Sequence, residues 1–334
     1  MDQRTAETVA DARWFPLRYD WREDVIHFAW IPSQTHRALT FISDLEPTQM
    51  RSLPRKAVIG AGSDKAPLHI ILHSGLGGST LLARALADAG VVTTLKEPPI
   101  LTDVVAFGLA SSDAEARVLL GQVASLLSRP FEAAEAVVCK MSSVGNGLTS
   151  AIAEMRDDTQ ILCLQTPLEQ MLGSLASKGA DGRSGARRLF IGLQNARMAC
   201  VQLDEKELRE LGDLRLAALA WLSIQRMIGD AAKRFGADRL RSISSDQLLG
   251  QPAPSLRSIA RHFGLALDVD ARLASGVFER HAKTGQPFDS RRRSEMLAQT
   301  LRAHGSEIRP IVEWARKVAE ANKIDWDLPY PLLG

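Results

Sequence analysis

The sequence predicts an α/β fold: a parallel sheet of about five strands covered by helices, with a helical C-terminal region. Three observations predict it. Short apolar runs recur at residues 68–73, 91–95, 136–141, 160–164 and 239–243. None alternates strictly with period two, as expected for strands covered on both faces. Longer helical patterns separate the runs, and a glycine-rich loop stands between the first run and the first of those helices.

Taken in order, residues 1–66 form an accessory N-terminal segment, with a strand over 24–31 and a short helix over 35–42. The stretch 60–67 is small, polar and closed by Pro67, which marks a linker, so the main domain spans 67–334. After the glycine loop, Leu81, Leu82, Ala85, Leu86 and Ala89 line one helix face. Residues 214–235 are apolar almost all round, the pattern of a buried helix. Beyond Ser255 the chain turns helical at 255–263 and again from 294 to 321, with a Gly-, Pro- and Arg-containing loop at 280–293 between.

Composition narrows the function. With 334 residues there is ample chain for a continuous core, and 45% hydrophobic and 24% charged residues are ordinary globular values. The charge of +2, from 41 Lys+Arg against 39 Asp+Glu, argues against a protein that tracks nucleic-acid phosphates. A 5% aromatic share suits single-strand stacking poorly. Cys139, Cys163 and Cys200 are too scattered for a disulfide framework or a zinc site, and Cys139 and Cys163 read as buried thiols. No signal peptide is visible and no run reaches the ~18–20 apolar residues of a membrane span. A cytoplasmic protein with no membrane or nucleic-acid partner is expected.

The most informative stretch is Ser74-Gly75-Leu76-Gly77-Gly78-Ser79-Thr80. Glycines let backbone N–H groups converge on an anion, the following helix adds its positive end, and two hydroxyls add donors. A tight turn with a Ser/Thr cap is the plainer alternative. In the nucleotide-triphosphate pattern G-x-x-x-x-G-K-[ST], His73 stands for the first glycine and Ser79 for the lysine. The pair Gly75 and Gly77 lacks the third glycine of a dinucleotide fingerprint. Both common nucleotide readings weaken.

Residues 77–84, Gly-Gly-Ser-Thr-Leu-Leu-Ala-Arg, resemble the 5′-phosphosulfate loop of sulfotransferases, particularly bacterial ones. Ser244-Ser245-Asp246-Gln247-Leu248-Leu249, with Pro252, Leu256, Ile259 and Phe263-Gly264-Leu265, is similar to a second stretch of that family. Gln165-Thr166-Pro167-Leu168-Glu169 with Ser174 resembles the turn that holds the donor's 3′-phosphate. Together these cover about 70–280 in order. The resemblance implies a P-loop-like three-layer α/β/α fold and transfer of a sulfuryl group from 3′-phosphoadenosine 5′-phosphosulfate (PAPS), a nucleotide co-substrate, to a hydroxyl or amine of a small-molecule acceptor. No metal is expected. It implies donor binding by Gly75, Gly77, Gly78, Ser79, Thr80 and Ser174. The family's basic residue before the loop falls on Leu76, its 3′-phosphate arginine on Gln165, and its serine one residue before Ser174, on Gly173.

Other residues are candidates to supply the charge. Lys140 ends the third apolar run, on the side where parallel strands face a ligand crevice, or snorkels to solvent there. Glu97, after the second run, resembles the family's general base, or is a turn acid paired with Lys96 or Arg84. His73 is a second base candidate or a hydrogen-bonded core histidine. Ser142, Ser143 and Asn146 read first as caps. Arg280 and Lys283 lie in a segment that loosely resembles the family's closure over the 3′-phosphate, with Arg291, Arg292 and Arg293 as helpers or a solvated helix start. Arg183, Arg187 and Arg188, among Gly179, Gly182 and Gly185, read as a basic lid or surface loop. A P-loop NTP-dependent kinase or hydrolase, and a non-catalytic sulfotransferase-fold binding protein, are the alternatives. Neither the acceptor nor the oligomeric state can be read from the sequence.

Overall fold

The carboxylate of Asp2 accepts the amide of Thr5 at 2.8 Å and starts helix α1 (Gln3–Ala10). Three antiparallel strands follow, β1 (Trp14–Asp20), β2 (Val25–Trp30) and β3 (Met50–Pro54), in spatial order β1-β2-β3. Helix α2 (Ser33–Ala38) lies between β2 and β3. The expectation of one strand and one helix in this segment is corrected to a three-stranded sheet, and the helix starts earlier and is shorter than 35–42. A computed structural model describes residues 2–58, 66–133, 135–282, 285–287 and 290–333, apart from the side chains of 290–294. Most of the expected linker and Lys283 therefore fall outside the described residues.

The main sheet is built from β4 (Leu68–His73), β5 (Val92–Lys96), β6 (Ala136–Lys140), β7 (Ile161–Gln165) and β8 (Leu240–Ser244), all parallel in the order β5-β6-β4-β7-β8. All five expected strands are present, each within a residue of the apolar run that announced it. Between them run α3 (Ser79–Leu86), α4 (Pro99–Ala110), α5 (Asp113–Leu127), α6 (Thr149–Met155), α7 (Leu168–Ala176), α8 (Gly179–Asn195), α9 (Glu205–Glu210) and α10 (Asp213–Arg239). After β8 come α11 (Ser245–Gly250), α12 (Pro252–His262), α13 (Val269–Ala274) and the long α14 (Ser290–Ala321).

Alternate strand residues bury on opposite faces. Ile71, Val138, Leu162 and Ile243 pack with Leu82 of α3 and Leu256 of α12. Leu72, Ile161 and Cys163 pack with α7, α8, α10 and α14. Ile70 and Cys139 pack with α5 and with Phe28 of β2, so the N-terminal unit shares a core with the main sheet. The result is a three-layer α/β/α molecule with a helical C-terminal region. Cys139, Cys163 and Cys200 are free and buried. Burial pushes the Cys139 thiol up to about 12. Among the described residues no helix is long and apolar enough to cross a membrane.

Two expected loops are ordered differently. The basic stretch at Arg183, Arg187 and Arg188 is not a loop but part of α8. The stretch 280–293 is cut short, because an isolated bridge joins Arg280 to Pro287 and α14 already begins at Ser290.

Candidate active site

Parallel strands deliver all five of their carboxyl ends to one edge of the sheet, and β4 is the central strand. Its last residue, His73, feeds the glycine loop. The loop backbone turns through the left-handed region at Gly75 (φ 83°), Leu76 (φ 54°) and Gly78 (φ 85°), and Gly78 is the N-cap of α3. Two of these positions are glycines, which adopt that region without a side-chain clash.

Hydrogen bonds brace the loop from behind. Thr166, just past β7, donates its amide to the Ser74 hydroxyl at 2.8 Å and its own hydroxyl to the Gly75 carbonyl at 2.9 Å. The buried Trp221 indole in turn donates to the Thr166 carbonyl at 2.8 Å. A Cβ on Gly77 would lie 1.8 Å from the Thr166 hydroxyl, so only glycine permits this approach. The Gly75 amide donates to His73 Nδ1 at 3.0 Å, which fixes the tautomer: Nε2 carries the proton and donates to the Met141 carbonyl at 2.7 Å. The Asn146 side chain donates to the His73 carbonyl at 2.9 Å. With both ring nitrogens engaged by backbone, His73 has no lone pair left for an acceptor proton. It is corrected from base candidate to a brace of the loop.

The front of the loop is different. Among the described residues the N–H groups of 76–81 meet no hydrogen-bond acceptor; those of 79–81 open helix α3, and those of 76–78 lie in the loop and N-cap before it. The amides and the helix end together make a site of positive potential. It opens into a cavity of about 980 Å³. Gly75, Gly77, Gly78, Ser79 and Thr80 all line it, as does Leu76.

Glu97, Lys140, Ser174 and Arg280 line the same cavity. Lys140 is the last residue of β6 and its side chain is 1% exposed, whereas that of Glu97 is 27% exposed; the two form an ion pair. The pair rules out the alternatives of a snorkelling lysine and of a Glu97 bound to Lys96 or Arg84. Lys96 lies beside Lys140 in the strand register, yet it turns away. Its ammonium donates to the carbonyls of His36, Arg37 and Leu39 at 3.1, 2.8 and 2.9 Å. Burial, and after it the charge of Arg84, pull the Lys96 pKa down to about 8.

Ser174 reaches the cavity, while a Cβ at Gly173 would meet Leu301, Thr300 and Leu297 of α14. Gln165 is buried at the end of β7, and its side-chain nitrogen has no partner among the described residues. Ser142 accepts the Gly145 amide at 3.0 Å in a local turn; the short helix that follows has Val144 at its N-cap and no side-chain cap, which corrects the cap reading, and Ser143 lines the cavity. Arg183 pairs with Glu307 and Arg187 with Asp213, so these charges are committed to helix packing. Sequence reasoning missed Phe41 and Lys178, which also line the cavity, and the structural task of Thr166. Phe41 sits far upstream in the N-terminal unit, where no motif marks it. Among the described residues no cluster of His, Cys, Asp and Glu could hold a metal ion.

No protein-family model matches the chain, and no curated protein matches it significantly. Among solved structures it is similar to the sulfotransferase domain from the curacin biosynthetic pathway, with a TM-score of 0.43 and 12% identity, covering 67% of this chain and 82% of that one. It is similar also to the sulfotransferase domain from the Synechococcus PCC 7002 olefin synthase, with a TM-score of 0.38 and 16% identity, covering 70% and 85%. Both are domains of the family that the loop sequence resembles.

Proposed function

We propose that this chain transfers a sulfuryl group from PAPS to a hydroxyl or amine of a small molecule. The observation that carries the proposal is the set of acceptor-less amides at 76–81, in a loop that lines the same cavity as the ion pair of buried Lys140 with Glu97. Converging amides at a helix start suit the phosphosulfate anion. Glycine at 75 fits the same role, since a Cβ there would meet only open space.

The groups divide the work. The loop amides and the Ser79 and Thr80 hydroxyls hold the anion in line with the acceptor. Glu97 takes the proton as the acceptor oxygen or nitrogen forms its bond to sulfur. The bond from sulfur to the bridging phosphate oxygen breaks, and the Lys140 ammonium offsets the charge gathering on that oxygen as adenosine 3′,5′-bisphosphate leaves. Ser174 and Arg280 are our candidates for the 3′-phosphate, together with Lys283. A kinase reading gains nothing here, because Ser79 holds the place of the lysine that a β/γ-phosphate needs.

Calorimetry with adenosine 3′,5′-bisphosphate in the presence of EDTA tests the proposal. Binding without metal, followed by transfer of label from PAPS to members of a hydroxyl and amine library, is expected. Absence of binding, or binding of ATP only with Mg²⁺, refutes it.

A further inference from the structure

Residues 36–41, the end of α2 and the turn that follows it, are held from three sides by the main domain. Lys96 takes the carbonyls of His36, Arg37 and Leu39. Arg84, on the helix that starts at the glycine loop, donates to the Thr40 hydroxyl at 2.9 Å. Arg37 pairs with Glu132 and with the fully buried carboxylate of Glu135. Burying a lysine among carbonyls is costly, so the fixed position of this segment is a specified feature. What it delivers is Phe41, which lines the cavity with the Lys140 ammonium 5.4 Å from its ring centroid.

We infer that Phe41, brought in by the N-terminal unit and braced by Lys96 and Arg84, forms the acceptor-facing wall over the Lys140–Glu97 pair. It selects acceptors that present an apolar face beside the reacting hydroxyl or amine. The inference rests on the transfer reading above. A cavity of about 980 Å³ is at the upper end for a single ligand, leaving room for an acceptor beside a nucleotide. An aromatic ring there rewards an apolar neighbour and leaves a polyhydroxylated one poorly solvated.

The test uses the full chain with labelled PAPS, 2-naphthol and cyclohexanol as apolar probes, and methyl glucoside as a polar one. In Phe41→Ala the KM for the apolar probes should rise about tenfold, with kcat changed far less. Phe41→Leu, which keeps an apolar wall, should recover most of that loss. Affinity for adenosine 3′,5′-bisphosphate should stay within about twofold in both variants, because Phe41 faces the acceptor. Unchanged KM in Phe41→Ala, equal loss of bisphosphate affinity, or a parent protein that sulfates only the glucoside overturns the inference while the transfer reading stands. A parent protein that fails to bind the bisphosphate removes both.

Discussion

Gly77→Ala offers the sharpest test of how the loop is held. The new Cβ would be 1.8 Å from the Thr166 hydroxyl oxygen, 3.1 Å from Thr166 Cβ and 3.3 Å from Ser245 Cβ. Real Cβ atoms essentially never approach within 3.0 Å, so the hydroxyl must leave or the loop must lift. If the hydroxyl leaves, its bond to the Gly75 carbonyl is lost, at about 0.5–1.5 kcal/mol. Crowding against Thr166 and Ser245 adds about 1–3 kcal/mol. Together these predict destabilisation of about 1.5–4.5 kcal/mol, read as a lower urea midpoint at unchanged slope. Bisphosphate affinity should fall with it, because the amides of 76–78 can no longer keep their positions.

The decisive variant is the double mutant. Thr166→Ala alone forfeits the hydroxyl's bond, at about 1 kcal/mol. It also removes the atom that the new Cβ at position 77 strikes. Gly77→Ala with Thr166→Ala should therefore be more stable than the sum of the two single effects predicts, by about 1–2 kcal/mol, and should regain part of the bisphosphate affinity. Gly78→Ala is the control. Its Cβ meets only Leu248 at 3.7 Å, so its cost is backbone strain of about 1–2 kcal/mol at φ 85°, which no partner substitution relieves. Additivity of Gly77→Ala and Thr166→Ala within about 0.5 kcal/mol would refute the proposed packing.

Two further outcomes are expected. Glu97→Gln should slow transfer about 10²–10⁴-fold while bisphosphate affinity stays within about threefold; full turnover removes Glu97 from the chemistry. Acid should weaken the fold through two buried histidines. His36, between Phe15 and Phe131, is pushed down to about 3 by burial and then by the charges of Lys96 and Arg37; His69, stacked on Phe263, is pushed down to about 4, mainly by burial. Both remain neutral in the folded protein where the unfolded chain takes up protons near 6.5. Stability is therefore full above that pH and falls as pH drops toward 4, by up to about 1.4 kcal/mol per unit for each ring. Urea midpoints at pH 7, 6, 5 and 4 measure this slope, and a slope that does not flatten in His36→Leu overturns the assignment.

What the sequence disclosed follows from where burial is complete. Strands covered on both faces must be apolar throughout, so β4 to β8 announce themselves. The N-terminal sheet does not. In β3 only Leu53 is buried, and β1 carries Pro16, with a register shift between Pro16 and Arg18 that breaks its alternation. Helix α8 hid behind its glycines and arginines. Its buried stripe is Gly182, Ala186, Phe190 and Leu193, helical spacing that begins on a glycine. A Cβ at Gly182 would lie 2.1 Å from the Leu175 carbonyl, so the glycine marks close helix packing. The anion loop was legible because its glycines, hydroxyls and helix are contiguous. The brace from Thr166 and the wall at Phe41 were not, since both are contacts between distant stretches of chain.

The end of β5 joins two features that sequence shows only as neighbours. The strand register sets Lys96 against Lys140, two buried ammonium groups on adjacent strands. Like charges this close need separate partners, and the chain supplies carbonyls for one and Glu97 for the other. Glu97 reaches Lys140 from a left-handed backbone, φ 57°, while its amide donates to the Lys140 carbonyl at 2.9 Å. A side chain in that region costs about 1–2 kcal/mol, strain held at the place where we assign the chemistry. Glu97→Gly should relieve the strain yet lose more, about 3–5 kcal/mol, by taking the paired carboxylate away from the buried Lys140 charge. With Lys140→Met in place that loss disappears. Adding Glu97→Gly to Lys140→Met should then raise stability by about 1–2 kcal/mol in a protein that no longer transfers. If the added glycine leaves the urea midpoint where Lys140→Met alone put it, the conformation of Glu97 is not strained, and its position is set by the ion pair alone.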